Sequence, residues 1–468
     1  MFGLKIKYLS FFFILISIFS FLNIIYSYYL NLYLNLDTYY LCLIASAFLS
    51  IVFYKIKLPE KKITIFDKIL TVFFGYILIP LILSIPFYFS IYDLTFLNSY
   101  FESISGFTST GFTIFENIKH IDQSLILWRS SIQWIGGLYF LFSIIFLIDI
   151  YDENFKKTLT NFISFDSSEI FKQAIKIFLL YSILTLFIFI ILNIFSFRSF
   201  DSLNLAFTLI SSGGFLPVNE LSSIVKENSQ IVILSFCMLT SFFSIFFIYN
   251  LVFFKSRNIN FLYEDLHLII YLIFIVSISF LFFGFNNNFS NIFLSLCSSI
   301  SNIGISLRST ELNLSLIYLI LIIIGGSFFS TSSGLRFIKI YSLFKYSLNQ
   351  ILSFSKPKNI FMNKLMFTNI NFDFKEIQKY FLTILIFIFS FLILTCVLSL
   401  IEIDFERSFR LSILTIMNTV NSTANGLPEF DFYNLHFLTK YSLILFMIIG
   451  RIELLTILLL LKKFLFKN

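Results

Sequence analysis

Apolar runs of 20 or more residues recur along this chain of 468 residues. A run of that length is what an α-helix needs to cross the hydrocarbon of a bilayer. Only helices and closed barrels can satisfy every backbone polar group there. The runs cover roughly 8–34, 37–55, 68–92, 124–150, 173–197, 230–254, 266–287, 313–345, 377–400 and 438–462, which predicts ten spanning helices. With 58% hydrophobic and only 13% charged residues, a soluble globular class is excluded. The 69 Phe residues read mainly as lipid-facing apolar filler. The first run follows Lys5 and Lys7 in the manner of a signal peptide. It is too long for one and lacks a small-residue cleavage site, so it reads as a retained helix.

Charge placement orients these helices. Basic residues concentrate in alternate connections, as expected when the N-terminus is cytoplasmic. One such connection carries Lys55, Lys57, Lys61, Lys62 and Lys68, and the next carries Lys156, Lys157, Lys172 and Lys176. Lys255 and Arg257 follow, then Lys345, Lys356, Lys358, Lys364, Lys375 and Lys379, and finally Lys462, Lys463 and Lys467. The net charge of +7 is this asymmetry and implies no nucleic acid. The outer connections hold Asp93, Glu102, Glu116, Glu311, Glu402, Asp404, Glu406, Glu429 and Asp431. Two readings remain open for these acids: a negative vestibule that concentrates cations, or simple avoidance of the inner side.

Between paired spans lie four shorter, moderately apolar stretches, each ending in a glycine motif. They end at Thr108-Ser109-Thr110-Gly111, Ser211-Ser212-Gly213-Gly214, Ser301-Asn302-Ile303-Gly304 and Ser422-Thr423-Ala424-Asn425-Gly426. The glycines recur at roughly 100 residues, the signature of an internal repeat. Each stretch is too short to span and fits a re-entrant helix, tolerated where backbone lines water or is buried in protein. The C-terminal end of such a helix carries a partial negative charge that favours a cation. A ring of backbone carbonyls can replace the water shell of a dehydrated alkali ion. The fold expected is therefore an all-α membrane protein, with two leading helices and four parallel helix–pore-loop–helix repeats around a central pore. The divisions expected are 1–60 for the leading pair, then repeats at 61–150, 151–257, 258–350 and 351–468.

Two further clusters stand inside apolar runs. Gly325, Gly326, Ser327, Ser330, Thr331, Ser332, Ser333 and Gly334, followed by Arg336, interrupt the eighth run. Three glycines and five hydroxyls within ten residues predict a broken helix and a loop at membrane depth. A kink or a small-residue packing face is the alternative. In the last run, Gly450-Arg451-Ile452-Glu453 puts a charged pair inside a membrane segment, a functional candidate by default. Arg451 could limit cation passage below the pore loops or anchor the loop. The alternative is a pair snorkelling at the inner surface.

Other chemistries find little support. Cys42, Cys237, Cys297 and Cys396 show no CxxC spacing or disulfide framework, and His120, His267 and His436 are scattered. A polytopic transferase needs convergent His, Asp or Glu at one membrane face, whereas the intramembrane polar residues here are Ser, Thr, Asn and Gly. An organic-solute symporter would be expected to show inverted repeats, and these four read as parallel. No covalently bound cofactor is expected.

The chain resembles the Trk/Ktr/HKT superfamily of potassium transporters from about residue 66 to 461. The resemblance rests on Ser105-Gly106-Phe107-Thr108-Ser109-Thr110-Gly111, on Leu127-Trp128-Arg129-Ser130 with Gln133-Trp134-Ile135-Gly136-Gly137, on 324–336, and on Gly450-Arg451-Ile452-Glu453-Leu454. The extra leading pair is similar to the Trk-type branch. The resemblance implies K+ as the transported ion, a homodimer in the bacterial inner membrane with cytoplasmic termini, and a cytoplasmic nucleotide-binding regulatory subunit. It also implies a gating loop at Gly325–Arg336 and a basic residue below the filter at Arg451. The chain departs from the pattern in the third filter, at Asn302 and Ile303, and in the fourth. There either Ala424 replaces the filter glycine or Gly426 takes that role. A residue bearing a Cβ at a filter glycine is associated in this superfamily with Na+ passage, which leaves Na+ permeability open.

Overall fold

The computed structural model describes residues 6–56, 64–147, 170–252, 263–284, 289–307, 314–354, 374–401, 403–427, 430–452 and 456. Glu453 and most of the basic inner connections lie outside these residues. The described chain is mostly helical, with almost no strand. Helices α1 (Ser10–Tyr29) and α2 (Leu36–Lys55) pack together as a leading hairpin. Helix α3 (Ile65–Leu83) starts with a capping box in which Thr64 and Asp67 satisfy each other's backbone N–H. Pro80 interrupts its backbone ladder, and the chain steps through Ser84 into the one-turn α4 (Ile85–Tyr88).

The remaining helices are α5 (Phe96–Phe107), α6 (Gln123–Phe146), α7 (Ile170–Ile194), α8 (Ser199–Ile210), α9 (Asn228–Met238), α10 (Ile245–Val252), α11 (Tyr263–Phe283) and α12 (Phe289–Ile300). They continue with α13 (Ser315–Ile323), α14 (Phe337–Ser353), α15 (Phe374–Leu400), α16 (Phe405–Ile416) and α17 (Phe437–Ile452). Between α13 and α14, β1 (Ile324–Gly325) and β2 (Leu335–Arg336) pair in parallel, Ile324 with Leu335 and Gly325 with Arg336.

Among the described residues, six helices are long and apolar enough to cross a membrane: Lys7–Tyr29, Leu36–Lys55, Ile65–Tyr88, Gln173–Ile194, Glu264–Phe283 and Glu376–Leu400. Of the other expected spans, α6 is continuous and buried almost throughout. The run at 230–254 is not one helix. It breaks at a 3-10 turn, Leu239–Ser241, before resuming as α10. The run at 313–345 breaks at the glycine cluster, as its composition predicts. The last run is described only to Ile452 and at Thr456.

The four shorter stretches form α5, α8, α12 and α16, each of 12 residues. Thr95 caps α5 by accepting from the Asn98 N–H at 3.3 Å. Helix α6 reaches the ends of two of them because it presents glycine there. A Cβ on Gly136 would collide with the Phe107 carbonyl, and one on Gly137 would lie 2.9 Å from Ser211 Cα.

Phe does more than face lipid. Phe282 on α11 is 77% exposed, but Phe12, Phe13, Phe101, Phe107 and Phe112 are fully buried. Aromatic edges fill the space between helices, as where Phe12 meets Tyr139 at 4.8 Å and 81°.

Candidate functional site

The four short helices end in the same way. The second residue past each end has a left-handed backbone: Ser109 (φ 58°), Ser212 (57°), Asn302 (58°) and Asn418 (48°). The next residue donates its N–H back five positions into the helix: Thr110 to Ser105 (2.9 Å), Gly213 to Thr208 (2.8 Å), Ile303 to Ser298 (3.0 Å) and Thr419 to Leu414 (2.9 Å). This is the Schellman arrangement, made four times, and it closes the last turn of each helix. It also sets a common register. The residues that follow it are Gly111, Gly214, Gly304 and Val420.

That register differs from the sequence-based expectation for the fourth segment. Ser422, Thr423, Ala424, Asn425 and Gly426 lie beyond it and fold over the end of the third segment. Thr423 Oγ1 donates to the Leu307 carbonyl (3.2 Å) and lies 2.8 Å from Ser306 Oγ. Gly426 has φ 75°, and the space beside it belongs to Arg410, whose Nη1 donates to the Asn425 carbonyl at 3.1 Å. Ala424 N–H donates to Ser306 Oγ at 3.4 Å, and the atoms nearest a Cβ on Gly426 are those of Arg410. The glycine signal misleads because the residue at the matching position is Val420.

The segments close into a ring. A Cβ added to Gly111 would lie 2.9 Å from Gly214 Cα. Ser212 Oγ donates to the Ser301 carbonyl at 2.6 Å. Val420 N–H donates to the Ile303 carbonyl at 3.4 Å, and the Asn302 side chain reaches Thr419 Oγ1 at 3.5 Å. Asn418 Nδ2 donates to Thr110 Oγ1 at 3.0 Å, closing the circuit, and to the Met447 carbonyl of α17 at 2.9 Å. Thr108 and Thr110 pair through their hydroxyls at 2.8 Å. Four helix C-termini therefore meet around one small space, each bringing the negative end of its dipole.

Behind the first segment lies a buried ion pair whose acid, Glu102, charge counting assigns to the outer connections. Glu102 on α5 accepts from Arg129 Nε (2.9 Å), from the Ile114 N–H (2.9 Å) and from Thr113 Oγ1 (3.1 Å). The Arg129 guanidinium also stacks over Phe215, 4.2 Å from the ring centroid, just past Gly214. Buried this way, Glu102 contributes no charge to a vestibule.

The 325–334 loop lies across the break in the α9–α10 run. Ser327 N–H donates to the Phe242 carbonyl (2.9 Å), Ser332 N–H to Ser241 (3.0 Å), and Ile245 N–H back to Phe329 (3.1 Å). Gly326 and Gly334 permit the approach: a Cβ on Gly326 would strike the Phe242 carbonyl, and Gly334 has φ 79°. Inside the loop, Arg336 donates to the Ser327 and Ser332 carbonyls (2.9 and 3.1 Å) and to Ser330 Oγ (3.2 Å). Thr331 Oγ1 donates to the Ile210 carbonyl at the end of α8 (2.7 Å). Glu264 at the start of α11 accepts from the Phe328 N–H (3.0 Å) and Ser327 Oγ (3.1 Å), while Asp265 accepts from the Ser244 N–H (2.9 Å). Motif reading passes over these two carboxylates because they fall just ahead of the apolar run at 266–287 and match no motif.

Arg451 joins loop and ring. It donates to Ser333 Oγ, to Ser109 Oγ (3.3 Å) and to the Ser211 carbonyl (3.5 Å). It is 1% exposed, so it is not an interfacial snorkelling side chain. Among the described residues no group of His, Cys, Asp and Glu could hold a metal ion.

Residues 305–467 match the TrkH family, described as cation transport proteins. An uncharacterized cation transporter of Methanocaldococcus jannaschii is 26% identical over 220 residues, which are 43% of this chain and 45% of that protein's length. The Trk system potassium uptake protein TrkH of Escherichia coli K12 is 22% identical over 397 residues, 81% of each chain. The crystal structure of the potassium transporter TrkH from Vibrio parahaemolyticus superposes with a TM-score of 0.80 at 18% identity, covering 97% of this chain and 98% of that one. The chain has the fold of TrkH. That fold extends across nearly the whole chain, beyond the residues 305–467 that match the family of cation transport proteins.

Proposed function

We propose that this Trk/Ktr-type protein carries K+ across the bacterial inner membrane, through the space bounded by Gly111, Gly214, Gly304 and Val420. The reading rests on one observation above all: four helix C-termini closed by the same Schellman geometry and joined in a ring. Helix dipoles at their negative ends and backbone carbonyls suit a monovalent cation stripped of water. Inward movement is driven by the membrane potential, about 2.3 kcal/mol per charge per 100 mV. The names of the relatives, which are potassium uptake proteins of Trk systems, support the choice of ion.

In this reading the 325–334 loop is the gate. Its hydrogen bonds to the α9–α10 break, to Glu264 and to Arg451 hold it against the ring. The homodimer and the cytoplasmic nucleotide-binding regulatory subunit belong to the same proposal, as does the division into a leading pair and four repeats. The test is growth of a K+-uptake-deficient bacterium at low external K+, with membrane insertion verified. Rescue is expected, and an inserted protein that fails to rescue growth overturns the reading.

A further inference from the structure

Three of the four positions in the ring have no side chain, and the fourth carries a branched apolar one. A Cβ added to Gly111 would lie 3.0 Å from Val420 Cβ. A Cβ added to Gly214 would overlap Val420 Cβ and come within 2.8 Å of its Cγ1. The Val420 side chain therefore occupies the space that Gly111 and Gly214 leave open. The Val420 backbone is engaged as well. Its N–H donates to the Ile303 carbonyl, and its carbonyl accepts from Asn425 Nδ2 at 3.0 Å. A carbonyl already held by an amide is a poorer ligand for an ion than a free one. The fourth segment thus offers the pathway a hydrocarbon surface where the others offer bare backbone.

We propose that Val420 is the specificity-determining residue of this pathway, an apolar stopper that limits both throughput and the size of the cation admitted. The inference rests on the transport reading above. A hydrophobic constriction impedes ions because water leaves it, and a β-branched side chain turns little about χ1 to clear the way. Val420→Gly removes the group, Val420→Ala removes two methyls, and Val420→Leu keeps the space filled.

The experiment is cation flux into liposomes holding the purified full chain, with K+, Na+, Rb+ and Cs+ tested separately. Val420→Gly should raise K+ flux by about tenfold, the effect of removing roughly 1.4 kcal/mol of barrier, and should admit Cs+. Val420→Ala should rise by less, and Val420→Leu should not exceed wild type. The alanine variant carries the test if the glycine variant does not fold. Wild-type K+ flux together with unchanged rate and ion order in both small variants overturns the role of Val420 and leaves the transport reading standing. Absence of flux for all four ions in wild type and variants alike overturns the transport reading and this inference with it.

Discussion

Glu102 and Arg129 form an ion pair at 2.9 Å with side chains 0% and 1% exposed. The pair ties α5 to α6, and through Thr113 and Ile114 it fixes the chain just past Gly111. Removing one member leaves the other charged and dry. Arg129→Leu or Glu102→Leu is expected to cost about 3–5 kcal/mol, whereas replacing both with apolar residues recovers most of it. Thermal unfolding of the detergent-purified single and double variants measures this. Equal losses in all three would show that the pairing itself is unimportant.

Arg451 bonds to Ser333, Ser109 and Ser211, so it couples the loop to two ring segments. Arg451→Gln should loosen the loop and raise K+ flux in liposomes several-fold. Flux at the wild-type level would count against a gating role.

Glu264 receives the Phe328 N–H and the Ser327 hydroxyl. Glu264→Ala leaves both donors without that acceptor, at about 1–3 kcal/mol for the pair of lost bonds. In the gating proposed above the loss falls on the closed loop, so flux should rise here too, as it should when 325–333 are deleted. A variant that is folded yet no faster than wild type would place the loop outside the pathway.

Gly426 and Gly111 both have positive φ but different surroundings. Gly426→Ala meets Arg410 and an unfavourable backbone, costing about 1–2 kcal/mol, yet should leave the order of permeant ions unchanged. Gly111→Ala and Gly214→Ser face the ring and should lower the preference for K+ over Na+. Reversal potentials under paired K+ and Na+ gradients separate the two classes. A selectivity change on substituting Gly426 would restore the motif register to the ring.

The helices are legible because apolar run length is a direct physical constraint. Glycines and hydroxyls inside the run at 313–345 announce its break. The break at Leu239–Ser241 is not legible: its stabilising partners come from the loop some 90 residues later, and Phe242 and Phe243 keep the run apolar. The first three ring segments are readable from their glycines. The fourth is not, since its geometry is set by the Schellman bond from Thr419 to Leu414, and motif matching drifts to the next available glycine. Glu102 is grouped with the outer acids because position relative to spans says nothing about which acid finds a buried arginine.

Phe140 lies beneath two guanidinium groups, Arg451 at 4.0 Å and Arg336 at 5.1 Å from its ring centroid. The ring attracts each cation, while the cations repel each other across a poorly screened interior. One belongs to the last helix and the other to the moving side of the proposed gate. Withdrawing the loop would separate these like charges, so the hydrogen bonds lost on opening are offset in some measure by relief of that repulsion. In the proposed gating the aromatic ring is a shared seat for both guanidinium groups while the loop is in place.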